Sequence, residues 1–160
     1  MSLCDQQRRE PNPRSDLSVE NLIILSRADP IICGHSTETR NLAEAACNLG
    51  VRNVHVVSYP LDVLASSGLP LKPENSVAAY SPGITVDRPA PIGDYKVLDG
   101  RLGAAISGHL INLLAKLPGK TAVMDLYLVP HGQMVMQAVE SCSRSGISSA
   151  PVTIGEAVGS

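Results

Sequence analysis

One stretch of the chain, Thr121 to Val129 (TAVMDLYLV), is apolar almost throughout. Ala122, Val123, Met124, Leu126, Leu128 and Val129 form a near-continuous run. That pattern predicts a strand covered on both faces, as in a parallel sheet. Pro130 has no N–H for a ladder bond and ends it. Upstream, Leu22 to Leu25 (LIIL) is the first apolar run and the predicted first strand. Pro30 and Gly34 mark a loop, and Ser36 or Thr37 offers a helix N-cap. Leu42, Ala43, Ala45, Ala46 and Leu49 recur at helical spacing, and Gly50 ends that helix as a C′ glycine. Val54, Val56 and Val57 alternate around His55 in a β-branched run, the second strand. Strand, loop, helix, glycine and strand over about 35 residues make a βαβ unit, with parallel strands and a right-handed crossover.

The middle of the chain, Tyr59 to Pro91, is broken by Pro60, Pro70, Pro73, Pro82, Pro89 and Pro91. Asp62 to Ser66 predicts a helical turn. Ser76 to Tyr80 and Ile84 to Val86 read as short strands around Ser81-Pro82-Gly83, in a long excursion beside the sheet. Leu98 to Leu117 is amphipathic, with Leu102, Ala105, Ile106, His109, Leu110, Leu113 and Leu114 on one face and Pro118-Gly119 as its stop. Met134 to Cys142 is the next helix, with Met134, Ala138 and Val139 inward, and Val152 to Ile154 begins a last strand. The predicted order, β-α-β-(excursion)-α-β-α-β, is a doubly wound, Rossmann-like α/β fold with a mostly parallel sheet and helices on both faces. Residues 1–20 are charged and proline-bearing and read as a flexible lead-in; residues 21–160 form the domain.

Composition narrows the function classes. The 160 residues carry a formal net charge of −2, which argues against wholesale binding to nucleic acid or an anionic membrane. There is no Trp and no Phe, so a base-stacking platform is not expected. Cys4, Cys33, Cys47 and Cys142 lack C-x-x-C spacing and read as four free, mostly buried thiols of a reducing cytosol rather than zinc or redox ligands. With no apolar leader and no run of 18 apolar residues, the reading is a soluble cytoplasmic protein.

Three places carry candidate chemistry. Gly34 and His35 lie in the first βα loop, where a glycine lets backbone amides approach an anion at a helix N-terminus. There is no G-x-G-x-x-G and no P-loop pattern, so neither a dinucleotide nor a nucleoside-triphosphate site is indicated. His131 and Gly132 follow the central strand and precede a helix, a position at the carboxyl end of the sheet where ligands bind. There His131 is the candidate to hydrogen-bond a sugar or phosphate oxygen. Glu156, near the end of the last strand, offers a carboxylate to ligand hydroxyls. His55 and His109 read as structural, and Arg88, Asp94, Lys96, Asp99 and Arg101 as a solvated charge cluster. Ser36 and Ser107 lack G-x-S-x-G context, which leaves a hydrolase triad unsupported.

LIILSRADPIICGHSTETRNLAEAACNLGVRNVHVVSYP resembles the opening βαβ of retaining, two-domain (GT-B fold) glycosyltransferases of family 4, which include sucrose and sucrose-phosphate synthases. AVMDLYLVPHGQMVMQAVE followed by PVTIGEAVGS resembles the family's strand–His–helix–strand passage, so the likeness spans about residues 21–160. The resemblance implies an N-terminal, acceptor-side domain. It would face a C-terminal domain that holds a nucleotide sugar, transferring a hexosyl group to a small sugar or sugar phosphate without a further cofactor. Carried over by position, Gly34 matches the loop glycine near the donor phosphates. His131 matches the histidine near the transferred sugar, the catalytic position, and Glu156 falls where members carry a histidine or another polar residue. The donor half would lie beyond Ser160, so the expectation is a truncated relative that is inactive alone. The competing expectations are a stand-alone α/β module that binds a small ligand, as monomer or dimer, and, more weakly, a flavodoxin- or response-regulator-like domain. Against the last, Asp29 is the only acid after the first strand.

Overall fold

The computed structural model describes residues 19–66, 68–95, 100–126, 133–144 and 154–156, with the backbone alone for 133–134 and 154–156. In chain order the elements are β1 (Asn21–Leu25), α1 (Gly34–Asn48), β2 (Asn53–Val57), α2 (Leu61–Ser66), a 3-10 turn (Glu74–Ser76), β3 (Ile84–Asp87), α3 (Gly100–Lys116), β4 (Thr121–Asp125), α4 (Gln133–Arg144) and β5 (Ile154–Glu156). The five strands form one all-parallel sheet in the order β3-β2-β1-β4-β5. The chain steps outward from β1 to β3, then returns to the other side of β1 through β4 and β5. This is the doubly wound, Rossmann-like arrangement expected from the sequence, and it directs all five carboxyl strand ends to one mouth.

The sheet is central because its strands are apolar on both sides. Ile23, Leu25, Val57 and Val123 face α3 and α4, where they meet Leu102, Ile106, Leu110, Val135 and Ala138. Ile24, Val54 and Val56 face the other way, towards Ala43 of α1. Leu110 is 1% exposed, and burying a leucine to that degree stabilises the fold by roughly 1.5–3 kcal/mol. Register is also held at the amino end of the sheet, by polar side chains. Asn21 is opposite Asn53 in β2 and Thr121 in β4. Fully buried, it donates Nδ2–H to Pro118 O (2.7 Å) and Thr121 Oγ1 (3.2 Å) and accepts from Asn53 Nδ2 (2.8 Å). A one-residue slip would break all three bonds as well as invert the apolar faces.

Several local expectations are corrected. The N-cap of α1 is Cys33, in extended conformation and with no side-chain cap bond, because Ser36 and Thr37 already lie inside the first turn. Ser36 Oγ donates back to Ile31 O (2.6 Å) and Cys33 O (3.0 Å). The inward face of α1 is Ser36, Thr39 and Ala43, while Ala45 is exposed and Leu49 is 86% exposed. Gly50 does end the helix as expected: its φ of +93° suits glycine, and its N–H bonds Cys47 O (3.0 Å). Ile84 to Asp87 is a true edge strand, whereas the residues from Ser76 to Tyr80 form no strand. Cys33 and Cys47 are half-buried free thiols, so only Cys142 among the described cysteines is buried as expected. Strand β4 is described to Asp125, and Tyr127 to Val129 lie outside the described residues, as do Leu98 and the lead-in to Ser18. No described helix is long and apolar enough to cross a membrane.

Candidate functional site

Three strand ends and the excursion build an open cleft at the mouth of the sheet. Pro30 follows β1, Leu61 follows β2 and Arg88 follows β3, while Leu71, Lys72, Glu74 and Val77 come from the excursion. Its volume is about 430 Å³, within the range of small-molecule sites. The excursion is held over the mouth by backbone pairing. Ile31 bridges Leu71 in antiparallel fashion, Ile32 N–H bonds Pro70 O (2.8 Å) and Lys72 N–H bonds Pro30 O (2.7 Å).

Beneath this strap lies Asp29, 5% exposed. Arg40 Nε of α1 donates to its Oδ2 (2.7 Å), and Lys72 Nζ of the excursion donates to its Oδ1 (2.6 Å). Burial works to raise the Asp29 carboxyl, but the bonds from Lys72 and Arg40 outweigh it and hold the group below the ordinary carboxylate range. Arg40 also donates to Ala78 O (2.7 Å) and lies 3.9 Å from the centre of the Tyr80 ring, so one side chain fastens the far limb of the excursion to α1. Glu44 takes the Ser81 N–H (3.1 Å) in the same seam. The Tyr80 hydroxyl is buried with no partner among the described residues, and its burial raises the phenol's pKa.

Arg88 reaches the same place from β3. It donates to the backbone carbonyls of Tyr59 (2.7 Å) and Asp29. Burial lowers its pKa, yet a guanidinium stays protonated in proteins. Among the described residues Arg88 makes no ion pair, and Asp29, the nearest buried carboxylate, is already shared by two other cations. The cleft floor therefore holds, among the described residues, a half-buried positive charge that makes no direct carboxylate contact, with Asp29 as its nearest favourable charge.

A second polar cluster sits on the α3 face of the sheet, where Asp87, the residue before Arg88, meets two histidines. His55 Nδ1 is 2.8 Å from Asp87 Oδ2 and His109 Nε2 is 3.3 Å from the same oxygen. Burial would raise the Asp87 carboxyl, but these two neighbours hold it below its usual range. An ionised Asp87 requires the His55 proton on Nδ1. His55 thus ties β2 to the edge strand by a hydrogen bond, whereas His109 Nε2 lies close to Asp87 without hydrogen-bond geometry. Among the described residues no group of three His, Cys, Asp or Glu side chains is placed to hold a metal ion.

The residues singled out from sequence fare unevenly. Gly34 is the first residue of α1, and His35 lies in its first turn, half-buried. Gly34 has no positive φ, and a Cβ there would meet nothing within 4 Å, so the backbone does not demand glycine. Glu156 stands opposite Asp125 at the carboxyl end of β5, which puts its backbone at the mouth. His131 and Gly132 lie outside the described residues. Of the charge cluster read as solvated, Arg88 instead turns into the cleft and Arg101 Nη2 bonds Asp94 O (2.7 Å) at the surface, while Lys96 and Asp99 lie outside the described residues. Asp29, Arg40 and Lys72 are marked by no motif; the one signal is topological and covers Asp29, after β1, and Lys72, in the excursion over the strand ends, but not Arg40 within α1. No family model, no curated protein and no solved structure matches this chain.

Proposed function

We propose that this chain is the acceptor-side half of a glycosyltransferase, presenting a small sugar or sugar phosphate for hexosyl transfer from a nucleotide sugar. The cleft at the carboxyl mouth of β1, β2 and β3 carries this reading. It combines apolar walls with a few convergent polar groups, which is the make-up of a small-molecule site. The resemblance of residues 21–160 to family 4 supplies the reaction class, and His131 is then the group that hydrogen-bonds the transferred sugar. A lone half leaves the transfer site open to water, whereas transfer needs a preorganised, desolvated site, so the donor would be held by a second α/β domain.

The test is to read the coding DNA past the Ser160 codon and assay the whole product with nucleotide sugars and small acceptors. A second α/β domain and hexosyl transfer that is lost in His131→Ala uphold the reading. A product that binds no nucleotide sugar removes it. The same cleft, with its apolar wall and convergent polar groups, also fits a second reading, a non-catalytic small-ligand module. Ligand binding without transfer by the whole product would establish that one.

A further inference from the structure

We infer that the cleft selects a phosphorylated sugar, with the phosphate on Arg88 and Lys72 and the sugar ring against the apolar wall of Leu61, Leu71 and Val77. The inference rests on the acceptor-side reading for the ligand's role, but the binding itself is a property of this chain alone.

Charge disposition is the first reason. Arg40 and Lys72 both bond the Asp29 carboxylate while Arg88 bonds its backbone carbonyl; Glu44 lies near Arg40, and Glu74 is the other carboxylate of the cleft lining. Arg40 is turned away, under Tyr80 and onto Ala78 O. Lys72 and Arg88 line the cleft, and the Lys72 side chain is 37% exposed, so it can meet a ligand without leaving Asp29. A phosphate dianion offers acceptor oxygens to the two cations that line the cleft, and charge-assisted bonds of this kind are about twice as strong as neutral ones.

The remaining lining decides what else the ligand carries. Leu61 and Leu71 are 52% and 38% exposed at the lip of the cleft, apolar surface that the flat face of a pyranose ring can cover. Glu74 also lines the cleft. A carboxylate there repels a second anionic group and accepts hydroxyl protons, which favours a polyol with one phosphate over a polyphosphate.

The experiment is calorimetric titration of the intact chain with glucose 6-phosphate, glucose and inorganic phosphate. Glucose 6-phosphate should bind at least about tenfold more tightly than glucose, and inorganic phosphate should compete with it. Lys72→Gln and Leu61→Glu should each weaken glucose 6-phosphate by about tenfold or more. Leu61 is exposed at the start of α2, where a glutamate does not disturb folding, and Leu49→Glu at the far end of α1 is the control that leaves affinity unchanged. Equal affinity for glucose and its phosphate, no binding of any of the three by the folded chain, or full affinity in both variants would each overturn the inference. Glucose binding without a phosphate preference overturns it while leaving an acceptor-side role standing. Phosphate-dependent binding without hexosyl transfer by the whole product upholds the cleft and removes the transferase reading.

Discussion

Asp29→Asn tests whether one buried carboxylate holds the mouth of the sheet together. The substitution keeps side-chain volume and one acceptor oxygen and removes the charge. Breaking a buried ion pair by deleting one partner typically costs about 3–5 kcal/mol. Here the cations left behind are not sealed in: the Arg40 and Lys72 side chains are 19% and 37% exposed, and Arg40 keeps Ala78 O and the Tyr80 ring. Rehydration of both cations lowers the cost to about 2–3 kcal/mol. For a domain of this size that is a fall in Tm of roughly 5–10 °C.

The pH dependence has a definite sign. The folded Asp29 carboxyl lies below its unfolded value, so its contribution is present above the ordinary carboxylate pKa and is lost as pH falls through the folded one. Urea unfolding of the two proteins should therefore differ most near neutral pH and converge as pH drops below about 4. A double-mutant cycle with Lys72→Gln should return a coupling of about 1 kcal/mol. A neutral-pH difference under about 0.5 kcal/mol, a difference that persists undiminished in acid, or strict additivity with Lys72→Gln would refute the account.

Four further outcomes follow from other parts of the fold. Asp87→Asn removes the carboxylate that bonds His55 and lies near His109 and should cost about 1–2 kcal/mol near neutral pH, less in acid because the folded Asp87 pKa is also depressed; urea midpoints across pH check it. Leu110→Ala empties a 1% exposed site between α3 and the sheet and should lower stability by about 2–5 kcal/mol in the same assay. Asn21→Ala should cost about 2 kcal/mol, because it leaves Asn53 Nδ2 and Pro118 O without their partner. Gly119→Ala should destabilise by about 1–2 kcal/mol, since φ is +84° there, although the Glu20 carboxylate in the way can move; Gly34→Ala, with ordinary φ and open space, should be neutral by thermal melting.

The sequence was most readable where burial and local periodicity agree. LIIL and the valines of β2 are strands covered on both faces, where β-branched side chains pack well. Reading failed in two ways. In α1 the inward face is Ser36, Thr39 and Ala43. Two of its three buried positions carry hydroxyls, so of the apolar residues at helical spacing only Ala43 marks that face, and Leu49 is exposed. In the excursion, Ser76 to Tyr80 has a strand-like pattern but no ladder partner: the carbonyls of Ala78 and Ala79 accept from Arg40 instead. The candidate site failed to announce itself for the same reason. Asp29 meets Arg40 eleven residues on, Lys72 forty-three on and, through its carbonyl, Arg88 fifty-nine on. The Lys72 meeting comes with the Ile31–Leu71 bridge that folds the excursion back over β1 and the Arg88 meeting with the pairing of β3 onto β2, and no window of local periodicity contains either. What the sequence did carry was the rule that a doubly wound sheet opens its carboxyl strand ends to ligands. That rule locates the mouth, but only the long-range pairing decides which charged side chains turn into it.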